Sequence, residues 1–338
     1  MQSESGPAPI HPLVTVIVPT IEAGDALADC LDSLEHQTFR DFDVVAVNNG
    51  KRSIPPRASV RVVSNEANAG FGAAVNQGVR TSSAPFVAVL NDDAVAEPRW
   101  LEAMLEAIEA RPDVGMCASQ VRLAGDGRLD SAGMLLCLDG SSKQRGHLES
   151  PTTYAHREEA LLPSGCAALY RREMLEEIGL FDETFFLYCE DTDLGLRARW
   201  AAWECLYAPD AVVEHRYSHS AGKASALKAY YVERNRLFLA VKNFPLPELF
   251  LAPLYSIARY FWHAVFALQG RGKAAEFRRE GNSGWQLLVC AVRAYLALLP
   301  RLPFLWRQRR KIKRRFTSRQ FRRLIRRYSI GPRQVAAL

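Results

Sequence analysis

Residues 86 to 94 read FVAVLNDDA, in which five apolar residues run directly into Asn91, Asp92 and Asp93. A short run of apolar and β-branched residues that stops at turn-forming residues predicts a buried β-strand followed by a turn. Acidic side chains at a strand end can bind a cation or a polar ligand. This stretch therefore predicts a sheet whose carboxyl edge carries chemistry.

Similar strands precede this one and alternate with helical segments. LVTVIVP at residues 13 to 19 and DVVAV at 43 to 47 are apolar runs, and residues 25 to 39 between them carry leucines at helical spacing. Strand, helix and strand in succession form the unit of a parallel sheet, which binds ligands at the carboxyl ends of its strands. A further strand at 60 to 63 and a helix at 72 to 80 extend the pattern. The sequence thus predicts an open α/β sheet of the nucleotide-binding type.

Charge is unevenly distributed along the chain. The formal net charge is +6, but thirteen Lys and Arg residues and no acidic residue lie between Arg301 and Arg327, so the rest of the chain has a net charge of −7. A basic segment on an acidic body predicts a local anionic partner, and no nucleic acid is expected. Seven scattered cysteines without a C-x-x-C pair indicate neither a zinc nor a redox site. The N-terminus lacks the layout of a signal peptide, so we expect a cytoplasmic location.

The acidic turn is one of three places that could carry chemistry. Asp93 and its neighbours offer the oxygen ligands that Mg²⁺ and Mn²⁺ prefer when these ions bridge phosphates. Asn and Asp also favour turns on structural grounds alone. The turn by itself leaves both interpretations open.

The second place is Glu190-Asp191-x-Asp193, which follows an aromatic run from Phe181 to Tyr188. A carboxylate beside an aromatic wall suits a general base that removes a proton from a hydroxyl group. Carboxylates at the start of a helix also stabilise its dipole, which is the structural alternative. The third place is His215 at a strand end, and a structural role for it stays open unless Asp93 lies beside it.

Taken in order, five groups of motifs resemble the family 2 glycosyltransferases of the GT-A fold, and the resemblance extends to about Pro245. They are VTVIVPT (Val14 to Thr20), NAGFGAAVNQGV (Asn68 to Val79), VLNDDA (Val89 to Ala94), SGCAALYRREMLEEIGLFDETFFLYCEDTDLGLRARWAAW (Ser164 to Trp203), and VVEHRYSHSAG with YYVERNRLFLAVKNFP. Several motifs in the same order are far more specific than any one of them. The rhamnosyltransferase-like branch, which builds cell-wall and surface polysaccharides on lipid carriers, is the part of the family that the chain resembles.

The resemblance implies an α/β GT-A fold, a Rossmann-like open mixed sheet, here followed by a C-terminal helical extension. It implies transfer of a sugar with inversion from a nucleoside diphosphate donor, dTDP-rhamnose or a UDP-sugar, to a glycan or a polyprenyl-diphosphate-linked glycan. The implied cofactor is a divalent metal, Mg²⁺ or Mn²⁺. The expected organisation is a tail at 1–12, a catalytic domain at 13–222 with a nucleotide-binding part at about 13–123 and an acceptor part at about 124–222, a helical region at 223–300 and a basic tail at 301–338.

Site residues follow from their positions in these motifs. Asp191 is the implied catalytic base and Glu190 the residue that orients it, while Asp93 and His215 are the implied metal ligands. The implied contacts of the nucleotide sugar are Pro19, Thr20, Glu22, Asn48, Asn68, Gly70, Asn76, Asn91 and Asp92.

Two positions depart from the pattern of the family. Asn48 stands where the family usually has an Asp that accepts a hydrogen bond from the base, and an Asn carbonyl can still accept one. Asn91 replaces the first Asp of the family's D-x-D motif. Only Asp93 remains as a firm carboxylate ligand there, so we expect metal binding to depend on the diphosphate.

The C-terminal part contains two long apolar stretches, residues 249 to 268 and 285 to 299, each interrupted by charged residues or proline. Because an arginine in hydrocarbon is costly, we expect them to lie at a membrane interface or to pack on the body, and not to span a bilayer. The basic tail interleaves apolar and cationic residues, and we expect it to bind the anionic inner face of the cell membrane. The protein would then be a peripheral membrane protein.

Two alternatives from other functional classes remain. A nucleotidyltransferase would share the α/β body and the acidic turn, but it needs an early Gly-rich loop with Arg or Lys, and VPTIEAGDAL has no basic residue. A non-catalytic membrane scaffold would not need Asp93, Asp191 and His215 together.

Overall fold

The structure is a computed structural model that describes residues 12 to 216 and 225 to 338. The segment 217–224, which contains the expected start of the helical region, lies outside the described residues. Within the described ranges, the predicted open α/β sheet and the helical C-terminal part are both confirmed.

The first part of the chain forms parallel strands separated by helices. The elements are β1 (Val14–Thr20), α1 (Asp25–Glu35), β2 (Phe42–Asn48), β3 (Val60–Ser64), α2 (Phe71–Arg80) and β4 (Phe86–Leu90). The strands stand in the order β3-β2-β1-β4, and β1 pairs in parallel with both β2 and β4. In this register Thr20 lies opposite Asn48 at the carboxyl edge.

The second part extends the same sheet with strands of both directions. Its elements are β5 (Ala94–Ala96), α3 (Trp100–Glu109), β6 (Val114–Leu123), β7 (Leu129–Ser131), β8 (Met134–Leu136), β9 (Ser142–Gln144), β10 (Glu158–Glu159), β11 (Ala167–Arg171), α4 (Arg172–Ile178), α5 (Glu190–Trp200) and β12 (Glu204–His215). Strand β11 runs antiparallel between β4 and β6, and β12 runs parallel to β6. The ends of β4 and β12 and the start of β11 therefore meet at one edge of the sheet.

The region from residue 124 to 159, at the start of the expected acceptor part, contains four short strands. Strand β7 pairs with β6, and Leu129, Asp130 and Ser131 in it are fully or almost fully buried. Strands β8 and β9 form a separate two-stranded sheet. Strands of two or three residues are too short to show an alternating pattern, so they cannot be predicted from periodicity.

Apolar side chains fill both sides of the main sheet. One core lies between the sheet and helices α1 and α3, and the other lies against α2, α4 and α5. Gly78 lets α2 approach closely, because a Cβ there would lie 2.7 Å from the Ile17 side chain. The two cores hold the carboxyl edge of the sheet rigid.

The C-terminal part is helical and packs on the body. It comprises α6 (Ala226–Asn243), α7 (Leu246–Leu268), α8 (Gly272–Arg279), α9 (Gly284–Lys311), α10 (Ser318–Arg327) and α11 (Pro332–Ala337). Helix α9 runs through residue 300, where the basic tail was expected to begin. The basic tail is thus continuous with the helix before it.

The basic tail is folded onto the body. The ring of Phe321 stacks on Trp200 with centroids 3.8 Å apart, and Phe321 and Ile325 are fully buried. Arg315 pairs with Glu177 at 2.8 Å and Arg327 with Glu159 at 2.9 Å. The buried apolar side chains of α10 therefore face the protein core, which leaves only its basic face for an anionic surface.

We predict that Phe321→Ala lowers the free energy of unfolding by about 3–5 kcal/mol, because it opens a cavity beside Trp200. Arg319→Ala, an exposed position on the same helix, is the control and should change the stability by less than about 0.5 kcal/mol. Urea denaturation followed by tryptophan fluorescence measures both. Equal stability of the two variants would show that α10 does not dock on the body in solution.

Candidate active site

A cavity of about 270 Å³ opens at the carboxyl edge of the sheet. Its lining comes from the end of β1, the start of α1, the turn after β4 and the end of β12: Glu22, Gly24, Asp25, Ala26, Asp92, Asp93 and Arg216. Four carboxylates and one guanidinium thus face the same space. Such an acidic cavity repels a diphosphate unless a cation enters with it.

His215 lies beside Asp93, which lines this cavity. His215 Nε2 is 3.2 Å from Asp93 Oδ1, and His215 Nδ1 is 2.9 Å from Asp130 Oδ2. The Asp130 carboxylate also lies 3.3 Å from His147. A carboxylate that accepts from one ring nitrogen fixes the ring and directs the other nitrogen, which is the arrangement found behind metal-binding histidines. The structure therefore brings the two predicted metal ligands together and adds Asp130.

The charges of this group are strongly coupled. Burial alone would lower the pKa of His215, but Cys166 and hydrogen bonds with Asp130 and Asp93 raise it well above its ordinary value. Burial would likewise raise the pKa of Asp130, yet hydrogen bonds with His147 and His215 lower it to about 2. Burial and the neighbouring Asp93 raise the pKa of Asp92 to about 6, against a hydrogen bond with Thr20. These shifts are those of an ion pair between His215 and Asp130, with Asp93 and Asp92 beside it.

The ends of β1 and β2 carry polar residues beside the cavity. Asn48 folds over its own turn, since its side chain accepts from Gly50 N and donates to the Arg52 carbonyl. Its carbonyl oxygen has a second lone pair for a ligand. Asn49, which sequence reasoning missed, donates to the Gly70 carbonyl at 3.2 Å and joins the two loops.

The loop before α2 approaches the site through Asn68 and Gly70. Asn68 is exposed, and its side chain accepts from Gly70 N at 2.9 Å. Gly70 has a φ of 93°, and a Cβ there would lie 2.4 Å from the Phe186 carbonyl oxygen. Glycine is thus required where this loop meets the segment before α5.

Asn76 does not reach the cavity. It is buried, and its amide donates to the Phe181 carbonyl and to Glu183 while its oxygen accepts from Phe181 N. The side chain is occupied in tying α2 to the segment before α5. We therefore correct its predicted role from nucleotide contact to packing.

The second centre is Asp191 at the start of α5. Its carboxylate accepts from Gly165 N at 2.9 Å and from Thr192 N at 2.6 Å. Burial raises the pKa of Asp191, and these hydrogen bonds oppose that shift. The side chain remains partly accessible. A fixed, accessible carboxylate with a raised pKa is a competent general base near neutral pH.

Glu190 acts on Asp191 through charge and not through a hydrogen bond. Burial and the adjacent Asp191 raise the pKa of Glu190 to about 8, and its Oε2 has no hydrogen-bond partner among the described residues. The predicted orienting role therefore falls to Gly165 and Thr192. Asp193 is structural, since it lies between Lys242, at 2.9 Å, and Arg197, at 2.8 Å.

The backbone before α5 is strained. Phe186, Tyr188 and Cys189 have φ values of 64°, 68° and 69°, a conformation that non-glycine residues rarely adopt. The Asn235 amide on α6 holds this segment by donating to the carbonyls of residues 185, 187 and 188 at 2.7–2.9 Å. Strain that the surrounding structure enforces is typical of functional sites.

The two centres are joined by Gly165 and Cys166, directly before β11. Gly165 N bonds the Asp191 carboxylate, and the Cys166 carbonyl accepts from Asn91 N at 2.8 Å. The side chain of Cys166 also interacts with His215. Asp191 and the pair of Asp93 and His215 therefore stand on either side of one short segment.

Comparison with known proteins decides the family. Residues 15–179 match the family described as glycosyl transferase family 2. A relative named N-acetylglucosaminyl-diphospho-decaprenol L-rhamnosyltransferase, from Mycobacterium tuberculosis strain H37Rv, is 31% identical over 262 residues, which is 68% of this chain and 85% of the relative. The chain belongs to glycosyltransferase family 2. The predicted resemblance to this family is confirmed, and the protein is a glycosyltransferase.

Solved structures of two other transferases share the fold of this family 2 glycosyltransferase. GalNAc-T7 with UDP, GalNAc and Mn²⁺ superposes with a TM-score of 0.56 at 13% identity, over 69% of this chain and 48% of that one. A mannosyltransferase from Pyrobaculum calidifontis in complex with GDP-Man and Mn²⁺ superposes with a TM-score of 0.52 at 18% identity, over 89% of this chain and 85% of that one. The GT-A fold is therefore confirmed.

We predict that Glu190→Gln stabilises the glycosyltransferase increasingly as the pH rises from about 5 to about 8. In the unfolded chain this carboxyl ionises near pH 4.5, whereas in the fold burial and Asp191 keep it protonated up to about pH 8, so the wild type loses stability as the pH rises between these values. Thermal melting of both proteins across this range measures the effect.

The control for this prediction is Glu176→Gln, which changes an exposed glutamate of α4. Its melting temperature should follow that of the wild type at every pH. A constant difference between Glu190→Gln and the wild type would contradict the raised pKa.

Proposed function

We propose that this glycosyltransferase transfers rhamnose from dTDP-rhamnose to a polyprenyl-diphosphate-linked glycan, with inversion, in the synthesis of cell-wall or surface polysaccharide. The observation that carries the proposal is the pairing of two centres across Gly165 and Cys166, an acidic cavity with Asp93 and His215 on one side and Asp191 on the other. The name of the mycobacterial relative supports the donor sugar and the lipid-linked acceptor. A UDP-sugar is the second candidate donor, since Asn48 can accept from uracil and thymine alike.

Asp93 and His215 would hold a divalent cation, Mg²⁺ or Mn²⁺. Across residues 12–216 and 225–338, no three His, Cys, Asp or Glu side chains form a complete metal site. Two protein ligands completed by phosphate oxygens and water fit the way in which Mg²⁺ is bound with phosphate substrates. A bound cation would neutralise the charge that develops on the leaving diphosphate. Thr20, Glu22, Asn68, Gly70 and Asn91 surround the nucleotide in this proposal, together with Pro19, Asn48 and Asp92.

Asp191 would act as the base. Its carboxylate takes the proton of the acceptor hydroxyl while that oxygen bonds to the anomeric carbon, and the bond from this carbon to the diphosphate breaks on the opposite face. The nucleoside diphosphate leaves, and a single displacement inverts the configuration. Gly165 N and Thr192 N hold the carboxylate at both oxygens. Because Glu190 stays protonated, it adds no second negative charge beside the Asp191 carboxylate.

Strand β9, whose Ser142 bonds Thr192 at 3.0 Å, carries a group of cations around Lys143. Burial and the cations Lys273, Arg259 and Lys228 lower the pKa of Lys143 to about 7. An anionic group beside these cations would relieve their repulsion. This supports an acceptor that carries a diphosphate, and it supports the division into a nucleotide part at about 13–123 and an acceptor part that begins near residue 124.

We predict that the wild type forms a rhamnosylated product from dTDP-rhamnose and polyprenyl-diphosphate-linked N-acetylglucosamine, and that Asp191→Asn lowers the turnover about 10²- to 10⁴-fold. Donor binding should stay unchanged, because Asp191 contacts the acceptor. Radiolabelled transfer and calorimetric titration of dTDP measure the two quantities.

Asp113→Asn, at the opposite edge of the sheet, is the control for this experiment and should keep full activity. If product forms only from UDP-sugars, rhamnose is not the donor sugar. Wild-type turnover in Asp191→Asn would remove Asp191 as the base.

We predict that Asp93→Asn weakens the Mn²⁺-dependent binding of dTDP by about tenfold or more, since the firm carboxylate ligand is lost. Asp25→Asn removes a carboxylate from the same cavity that has no proposed metal contact, and it should bind as the wild type does. Titrations with and without Mn²⁺ measure both. If Mn²⁺ improves binding equally in Asp93→Asn and in the wild type, Asp93 is not a metal ligand.

A further inference from the structure

Helix α7 is amphipathic in the reverse sense to a helix of a water-soluble domain. Its buried side chains are Glu248, Ala252, Ser256 and Arg259, spaced four, four and three residues apart. Its opposite side exposes large apolar side chains, including Phe250 (78% exposed), Leu254, Ile257 and Phe261. A helix on a protein in water normally turns its polar face to solvent. The orientation of α7 therefore indicates that its outer face meets an apolar environment.

Helix α9 adds a second apolar face. Trp285 is 70% exposed, and Leu288, Val292, Leu296 and Leu299 follow it at helical spacing. Sixteen of the twenty exposed large apolar residues of the described chain lie on α7 and α9. Monomeric soluble proteins rarely expose contiguous apolar surface on this scale unless it binds something.

Both helices contact the same buried side chain of α6. Arg236 of α6 donates to the Tyr260 hydroxyl of α7 at 2.9 Å and to the Tyr295 hydroxyl of α9 at 3.3 Å. Phe261 and Leu296, which directly follow these tyrosines, are both 60% exposed. We call the exposed apolar side of both helices the α7/α9 face.

The net charge of the segment that forms this face indicates which kind of partner it binds. Residues 246 to 311 contain eleven Lys and Arg residues and three Glu residues, a net charge of +8. A second copy of the chain would bring two such cationic segments together, and they would repel each other. An anionic lipid surface offers both the apolar and the negative environment that the segment lacks.

Helix α9 cannot cross the bilayer while it keeps its place in the fold. Within the described ranges it is the one helix long and apolar enough to do so. However, Cys290 near its start lies 3.6 Å from the Ala226 carbonyl, and Arg309 near its end donates to the Val241 carbonyl at 3.0 Å. It thus runs along the whole of α6, whose Glu233, Arg234 and Arg236 would enter the hydrocarbon with it.

We propose that the α7/α9 face lies flat in the cytoplasmic headgroup region of an anionic membrane and anchors the enzyme there. The apolar side chains enter the acyl boundary. The exposed Arg271, Arg278 and Arg279, in the segment that joins the two helices, contact lipid phosphates. Trp285 and Trp306 are both exposed on α9, and tryptophan is enriched at the interface between membrane and water. The use of this surface, to meet a lipid-linked acceptor, rests on the proposed function; the lipid contact itself does not.

The test is cosedimentation of the full chain with vesicles of phosphatidylglycerol and phosphatidylcholine, without donor or acceptor. We expect the wild type to bind, and Leu254→Glu/Ile257→Glu and Leu296→Glu/Leu299→Glu each to lower the partition coefficient by about tenfold or more. The matched control is Ile21→Glu/Val62→Glu, which places the same charges on exposed apolar residues of the α/β body and should bind as the wild type does. Circular dichroism of every variant verifies folding.

The outcomes separate the docking surface from the reaction. Undiminished binding of both α7/α9 variants, or no binding of the wild type, overturns the proposal. A wild-type dimer that these variants dissociate, with no vesicle binding, overturns it in favour of self-association. Because no sugar transfer is measured, an inactive enzyme that still binds vesicles through this face would disprove the proposed function and support the surface.

Discussion

The hydrogen bonds of Gly165 and Cys166 are the constraint on which the candidate site depends. Their segment enters β11 between β4 and β6, so its backbone reaches the Asp191 carboxylate on one side and the Asn91 backbone on the other. A Cβ on Gly165 would lie 3.3 Å from that carboxylate, closer than most such contacts, so a side chain there would shift Asp191. The placement of Asp191 relative to Asp93 and His215 is therefore set by one strand start inside the sheet.

The helical C-terminal part is needed by the catalytic domain. The strained residues before α5 are held by Asn235 of α6, and Lys242 of the same helix neutralises the buried Asp193. Without α6, three non-glycine residues in a left-handed conformation would relax, each strained residue costing about 1–3 kcal/mol. Contacts with the helical part thus hold Asp191 in place. The expected boundary near residue 222 therefore separates two parts that depend on each other.

Long elements and motif residues could be predicted from the sequence, whereas partners across the fold could not. Strands β1, β2 and β4 and helices α1 and α2 have clear apolar patterns, and the order of the motifs placed Asp93, Asp191 and His215. Asp130 gave no signal, because it lies in a three-residue strand within a polar region. Asn76 was misassigned because its motif position says nothing of the Phe181 backbone that uses its amide. In α10, apolar residues among cations look the same whether the helix meets a membrane or Trp200, and only the fold distinguishes these cases.

Buried charges explain why α7 turns its apolar side outward. Arg259 bonds Asp139 at 2.6 Å and Glu233 at 2.8 Å, and Arg236 joins the same group. Rotating α7 to bury Phe250 and Ile257 would gain apolar contacts, but it would leave two buried carboxylates with only Arg236, and breaking a buried pair costs about 3–5 kcal/mol. Glu233 and Arg236 flank Asn235 on α6. One turn of α6 therefore supplies both the ion pairs that orient the apolar face of α7 outward and the amide that holds the strained segment before Asp191.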